Sequence, residues 1–210
     1  MSDLVLIIGN KRFSSWSLRP WLALKMAGLV FDEVMIALRQ PDTRQRIREH
    51  SPSGKLPLLK HGPLQVWDSL AICEYAAELA PKDCLWPEDR VARAEARSVA
   101  AEMHSGFPHL RQTMPMDLCV TQPMTDLSPE LQAEIDRITT LWTNCRARFG
   151  SSGPFLFGRF SIADAMYAPV VTRFTTYGVG LDAVSQSYME AVRALPAMKE
   201  WKDAADQEPA

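Results

Sequence analysis

Three short stretches of this chain carry residue types able to do chemistry, each on a turn that leads into regular structure. The first is Phe13-Ser14-Ser15-Trp16-Ser17-Leu18-Arg19-Pro20-Trp21. It follows the apolar run Leu4–Ile8. It precedes Leu18, Trp21, Leu22, Leu24 and Met26, apolar residues at helical spacing that stop at Gly28. The order is strand, polar turn, helix. Hydroxyls at such a junction lie beside unpaired N–H groups and the positive end of the helix dipole, a place that suits an anion. The same serines also suit plain helix capping, and the local pattern leaves both roles open. The second stretch is Leu56-Pro57, after the turn Ser51-Pro52-Ser53-Gly54-Lys55. Proline lacks a ladder donor, so it belongs at the start of a strand, and an X-Pro bond at a turn is where a cis peptide occurs. The third is Asp68-Ser69, which opens a helix pattern through Leu70, Ile72, Cys73, Ala76, Ala77 and Leu79. Asp68 suits an N-cap. The pair also suits a ligand, with Asp68 on an ammonium and Ser69 with the helix N-terminus on a carboxylate.

Other polar patterns point away from chemistry. Ser161-Ile162-Ala163-Asp164 matches the capping box that opens a helix and is a folding signal. The histidines His50, His61, His104 and His109 show no metal-ligand spacing. The run Arg39, Arg44, Arg46, Arg48 reads as a solvated face. The four cysteines, Cys73, Cys84, Cys119 and Cys145, form no C-x-x-C pair, so neither a zinc site nor a dithiol motif is indicated. They read as small apolar packers in a reducing cytosol. No G-x-S-x-G, P-loop or G-x-G-x-x-G motif occurs.

The elements that must position these residues follow from pattern. Between 4 and 79 the order is β-α-β-α then β-β-α, with strands at 4–8, 31–38, 56–60 and 64–67. The helical crossover favours a parallel first pair, and the hairpin at His61-Gly62-Pro63 adds an antiparallel one. Pro81 and Pro87 frame a boundary. Beyond it the strand pattern ends. Helices are expected over 88–105, 131–149, 161–177, 185–194 and 196–205, with Pro108, Pro115, Pro123 and Pro129 punctuating the gap between the first two. The expectation is an α/β domain over 1–83 and an all-helical domain over 88–210. The 210 residues are 47% hydrophobic, enough for a sizeable core, and the formal charge of −2 indicates no nucleic-acid partner and no anionic membrane. No apolar run approaches the ~18 residues of a membrane helix, and the first residues lack the pattern of a secretion signal.

Taken in order, the serine turn, Leu56-Pro57, Asp68-Ser69 and the Ser161–Asp164 box resemble the cytosolic glutathione S-transferase family over nearly the whole chain. Arg12 to Arg19 is most similar to the serine motif S-S-C-x-x-R of zeta-like, serine-type members. The resemblance implies a thioredoxin-like domain that binds glutathione as co-substrate without a metal, a helical domain that shapes a second pocket, a cytoplasmic homodimer, and a role in detoxification. By motif, Ser14 or Ser15 donates to the glutathione sulfur. Leu56, ahead of Pro57, pairs with the cysteinyl backbone. Asp68 and Ser69 hold the γ-glutamyl end, and Lys55 meets the glycyl carboxylate. Position in the fold assigns Trp16, Met103, Phe107 and Arg173 to the pocket for a small hydrophobic electrophile. Trp16 stands where the motif has cysteine, which weakens a direct carry-over of zeta-type isomerase activity and argues against disulfide exchange through an enzyme cysteine, while conjugation, peroxide reduction and isomerisation all stay open to a glutathione thiolate. The rival implication is a non-catalytic binding protein on the same fold.

Overall fold

In the computed structural model, residues 3–81 and 85–208 are described. Cys84 and the exact domain boundary expected around it lie outside the described residues. Cys73, Cys119 and Cys145 are free thiols.

The first half runs β1 (Leu4–Gly9), α1 (Ser15–Met26), β2 (Asp32–Ile36), α2 (Thr43–His50), β3 (Leu58–His61), β4 (Leu64–Trp67) and α3 (Ser69–Leu79). The sheet order is β2-β1-β3-β4. β1 pairs parallel with β2 through the α1 crossover, and antiparallel with β3, which pairs antiparallel with β4. This is the expected thioredoxin-like layout. Alternation sorts β1 into two faces. Leu4, Leu6 and Ile8 join the main core, while Ile7 packs with Ile36 and Leu58, backed by Ile47 of α2.

The second half is all helix: α4 (Arg90–Ser105), α5 (Pro108–Thr113), α6 (Pro129–Phe149), a 3-10 turn (Gly150–Ser152), α7 (Ile162–Tyr177), α8 (Ala183–Ala194) and α9 (Pro196–Asp206). α7 is buried at every position but Thr175, so it is the axis, packed against both α1 and α4. Trp142 of α6 meets Tyr167 and Phe174 of α7 and Tyr188 of α8 at 5.8, 5.6 and 4.8 Å between ring centroids. Trp21 of α1 meets Trp201 of α9 at 4.9 Å. One hydrophobic core thus runs through both halves.

The structure departs from the sequence pattern at element ends. β3 begins at Leu58, two residues after Leu56, because Pro57 has no N–H for the ladder; the Leu56–Pro57 bond is cis. β2 covers Asp32–Ile36 only. α1 begins at Ser15, ahead of its first apolar position. The unexpected element is α5. Pro108 starts this helix at its first turn, where the missing N–H costs nothing.

The capping box at the start of α7 forms. The Asp164 carboxylate accepts from the Ser161 N–H at 2.8 Å, the Ser161 hydroxyl at 3.0 Å and the Leu156 N–H at 3.0 Å. Asp164 is fully buried, and that burial pushes its carboxyl up to about 6 against those three donors. A folded value above the ordinary 3.8 means that this group favours the folded state below 3.8 and loses that contribution as pH rises through about 6. Ser161→Ala should therefore cost about 0.5–2 kcal/mol. Asp164→Ala should cost more, about 3 kcal/mol, because three buried donors lose one acceptor. Asp164→Asn should flatten the pH dependence of unfolding between about pH 4 and pH 7. Denaturation curves with equal wild-type-to-variant gaps at both pH values would contradict that account.

Candidate active site

The turn before α1 is held from three directions. The Asn10 carbonyl accepts from Phe13 and Ser14 N–H at 3.2 and 2.8 Å, and Asn10 Oδ1 accepts from Leu38 N–H at 2.6 Å. Arg12 donates to both Asp117 oxygens at 2.8 and 3.0 Å, and the Glu208 carboxylate accepts from Lys11 and Arg12 N–H at 2.6 and 3.1 Å. Trp201 Nε1–H donates to the Lys11 carbonyl at 2.8 Å. The turn is thereby fixed by α9 and by the segment after α5, both far away in sequence.

Within the turn the hydroxyls differ. Ser14 stands at the N-cap of α1 but makes no side-chain cap bond. Its hydroxyl donates to Ser17 Oγ at 2.7 Å, which also accepts from Gly9 N–H at 3.1 Å. Ser15 Oγ instead accepts from Arg173 Nη2 at 3.2 Å. Both serines are buried. Capping of the usual kind is thus not what Ser14 does, and the two adjacent hydroxyls have opposite local roles, one donating and one accepting.

Beside this turn a cleft of about 590 Å³ brings together Trp16, Lys55, Leu56, Pro57, Asp68 and Ser69 with Ser53, Trp67 and His104. Asp68 takes a positive φ of 74° to cap α3, a conformation uncommon outside glycine and held here by its side chain. Oδ1 accepts from Leu70 and Ala71 N–H at 2.9 and 3.3 Å. Oδ2 lies 3.1 Å from His104 Nε2, a contact that crosses from the α/β half to α4. Ser69 is 1% exposed, and its Oγ is buried with no hydrogen-bond partner. A hydroxyl of that kind at a helix N-terminus is a vacant polar position facing the cleft residues.

The remaining sequence-predicted residues sit behind the cleft. Met103 and Phe107 are buried core residues, so they support its wall and do not line it. Arg173, 4% exposed, donates from Nε to the Met114 carbonyl at 2.8 Å and from Nη1 to the Pro169 carbonyl at 3.4 Å. Burial, then repulsion from Arg111, pushes its guanidinium down to about 10. A second cleft of about 480 Å³, between Leu118–Thr121, α7 and α9, contains none of the expected site residues.

Sequence reading missed three contributors. His104 carried no metal spacing and was set aside, yet it faces Asp68 and meets the Trp16 ring edge-on at 5.5 Å. Arg19 and Arg111 place their guanidinium carbons 4.2 and 4.7 Å from the centre of the Trp16 indole. The helical spacing of Trp16 and Arg19, three apart, is the only local signal for any of these contacts. Among the described residues no group of histidines, cysteines and carboxylates is arranged to hold a metal ion, and no helix is long and apolar enough to cross a membrane.

Known proteins share the sequence pattern and the fold of this chain. Residues 13–79 match the family model of the glutathione S-transferase N-terminal domain, and residues 125–204 match that of the C-terminal domain. A probable maleylacetoacetate isomerase of Caenorhabditis elegans is 30% identical over 104 residues, 50% of this chain and 48% of that protein. Human glutathione S-transferase omega-2 is 26% identical over 205 residues, 96% of this chain and 76% of the relative. Among solved structures, a glutathione transferase homolog from Burkholderia with bound glutathione superposes with a TM-score of 0.71 at 23% identity, covering 98% of this chain and 99% of that one. With both domain models matched and the fold shared over its whole length, this chain belongs to the glutathione S-transferase family.

Proposed function

We propose that the chain is a glutathione transferase that binds glutathione in the cleft and activates its thiol for attack on a small electrophile. The observation that carries this reading is the vacant Ser69 hydroxyl beside the Asp68 carboxylate, in one cleft with Lys55 and Leu56–Pro57. Those groups match the ends of a γ-glutamyl tripeptide: Asp68 for its ammonium, Ser69 and the α3 N-terminus for its α-carboxylate, the Leu56 backbone for its middle, and Lys55 for its far carboxylate.

The sulfur then lies toward the α1 turn, where one hydroxyl donates to it. Motif order favours Ser14. Hydrogen-bond accounting favours Ser15, because the Ser14 proton is committed to Ser17 Oγ, whereas Ser15 accepts from a cation through its lone pair and keeps its proton for another acceptor. A free thiol titrates near ~8.5. A hydrogen bond to the charged sulfur is worth about 1.5–3 kcal/mol, and the helix dipole adds about 0.3–1 kcal/mol. At about 1.36 kcal/mol per unit, the bound thiol falls by roughly one to three units, so thiolate dominates near neutrality. In conjugation the thiolate forms a carbon–sulfur bond and a leaving group departs or the adduct takes up a proton; in isomerisation the same bond forms and breaks again; in peroxide reduction the thiolate attacks oxygen, the alcohol departs, and a second glutathione converts the sulfenate to the disulfide and water.

A homodimer is part of the same reading. Exposed Leu64 on the edge strand β4 and Val91 on α4 are apolar surface that a second copy would cover. Light scattering should give a mass near twice 23.6 kDa, and the monomer mass at micromolar concentration would refute it.

The thiol titration is the direct test. Ultraviolet thiolate absorbance of bound glutathione against pH should shift upward by about one to two units in Ser15→Ala, with a smaller shift in Ser14→Ala. Conjugation at neutral pH should fall and recover in part at alkaline pH. A shift confined to Ser14→Ala would move the role to that residue, and no shift in either would end the serine mechanism. Calorimetry that finds no glutathione binding to folded protein would end the whole proposal.

A further inference from the structure

We infer that the second cleft, between the segment after α5, α7 and α9, binds an organic anion with an apolar body and is coupled to the serine turn. The site lies outside the cleft of the transferase reading and does not rest on that reading.

The lining of this cleft is part apolar and part cationic. Leu118, Val120 and Met198 give it apolar surface, and Val120 is left 37% exposed. Arg193 of α8 and Lys199 of α9 line it as well, and both are exposed. Neither makes an ion pair among the described residues, whereas Lys202 beside them is taken by Asp206. The Asp203 carboxylate is also in the lining, which keeps an excess of positive charge. The hydroxyls on the α7 wall have spent their protons: Thr172, Thr175 and Thr176 donate to the Pro169, Val171 and Asp117 carbonyls at 2.8, 2.9 and 3.0 Å. An anionic group is therefore met by Arg193 and Lys199, and an apolar body by the three hydrophobic side chains. The volume of about 480 Å³ suits a small organic molecule.

Two walls of the cleft are the segments that hold the turn before α1. On one wall, Leu118 N–H donates to the Arg12 carbonyl at 3.3 Å, and the neighbouring Asp117 grips the Arg12 guanidinium. On the other, Trp201 of α9 donates to the Lys11 carbonyl at 2.8 Å, and Glu208, just past the end of α9, accepts from the Lys11 and Arg12 N–H groups. The walls touch where the Cys119 thiol donates to the Ala205 carbonyl at 3.6 Å and to Asp206 Oδ1 at 3.3 Å. Both walls thus end on Lys11 and Arg12, and Arg12 stands two residues before Ser14. A guest that contacts Leu118 and Val120 on one side and Met198 and Lys199 on the other ties the walls together in the arrangement that clamps the turn. It favours that arrangement by its contacts with both. It acts on the serines without entering the cleft beside them.

The probes are naphthalene-2-sulfonate and its neutral sulfonamide, added to the full chain. Cys119 is an exposed thiol in the lining, so its alkylation by N-ethylmaleimide, followed by mass spectrometry of the peptide that carries it, reports occupancy at this place. Saturating sulfonate should slow that alkylation, and should slow amide hydrogen exchange at Lys11 and Arg12 by about fivefold. The sulfonamide at the same concentration should do neither. Arg193→Gln combined with Lys199→Gln changes two exposed side chains and should weaken the sulfonate by about fivefold. Unslowed alkylation in the unmodified protein would overturn the site. Equal protection by the sulfonamide or by inorganic phosphate would overturn the assignment of an anion with an apolar body. Slowed alkylation with unchanged exchange at Lys11 and Arg12 would overturn the coupling, as would slowed exchange that the double variant leaves at full strength. Protein that binds no glutathione by calorimetry fails the transferase reading, and alkylation and exchange still decide the second cleft.

Discussion

The buried seam between α1 and α7 is the constraint on which the site depends. α7 is buried around nearly its whole circumference and apolar over most of it, so its stable position is the middle of the helical half. α1 must pack on it with its N-terminus presented to the cleft. Two arginines set that placement: Arg19 on α1 donates to the Met166 carbonyl of α7, and Arg173 on α7 donates back to Ser15. A guanidinium has a rigid geometry and no means of shedding its charge at neutral pH. Rotation of either helix would strand donors in an apolar seam, at a cost of about 1–3 kcal/mol for each group. The helical half therefore serves as the foundation of the serine turn and reaches the cleft through His104.

The same logic extends to the backbone before α1. Lys11 and Arg12 present their N–H groups to Glu208, and Arg12 grips Asp117 with two parallel bonds. Since one core runs through both halves, displacement of α9 or of the segment after α5 is felt at the turn. The side of the cleft built by the α/β half is anchored differently. There Asp68 closes the first turn of α3 by itself, and the cis Leu56–Pro57 segment leads into β3 within the sheet.

How much of this is legible in sequence follows from the range of the interactions. The strands, the parallel and antiparallel pairings, the Asp68 cap and the Ser161–Asp164 box depend on partners within a few residues, and alternation or cap spacing exposes them. α5 was hidden because Pro108 reads as a break when it is also the best first residue of a helix. The roles of Ser14 and Ser15 were hidden because they are set by a rotamer choice. Ser17 three residues on captures one hydroxyl, and Arg173, 158 residues away, captures the other. The arginine cluster was hidden for the same reason. Nothing near Arg19 in sequence announces that Met166 will take its Nε–H or that Arg111 will come to the same indole.

This cluster also bears on where a reactive sulfur can come from. The position at which the similar serine motif carries a cysteine is here an indole held between cations and a histidine. Among the described cysteines, Cys73 is wholly enclosed and burial holds its thiol far above the ordinary range despite the attraction of Arg19. Burial likewise pushes Cys145 up to about 12. Cys119 lies against the C-terminal helix at Ala205 and Asp206, and burial and the Asp206 carboxylate raise its thiol too. None of the three is a ready thiolate. Among the described residues the α1 turn therefore has no activated cysteine beside it, in keeping with membership of the glutathione S-transferase family.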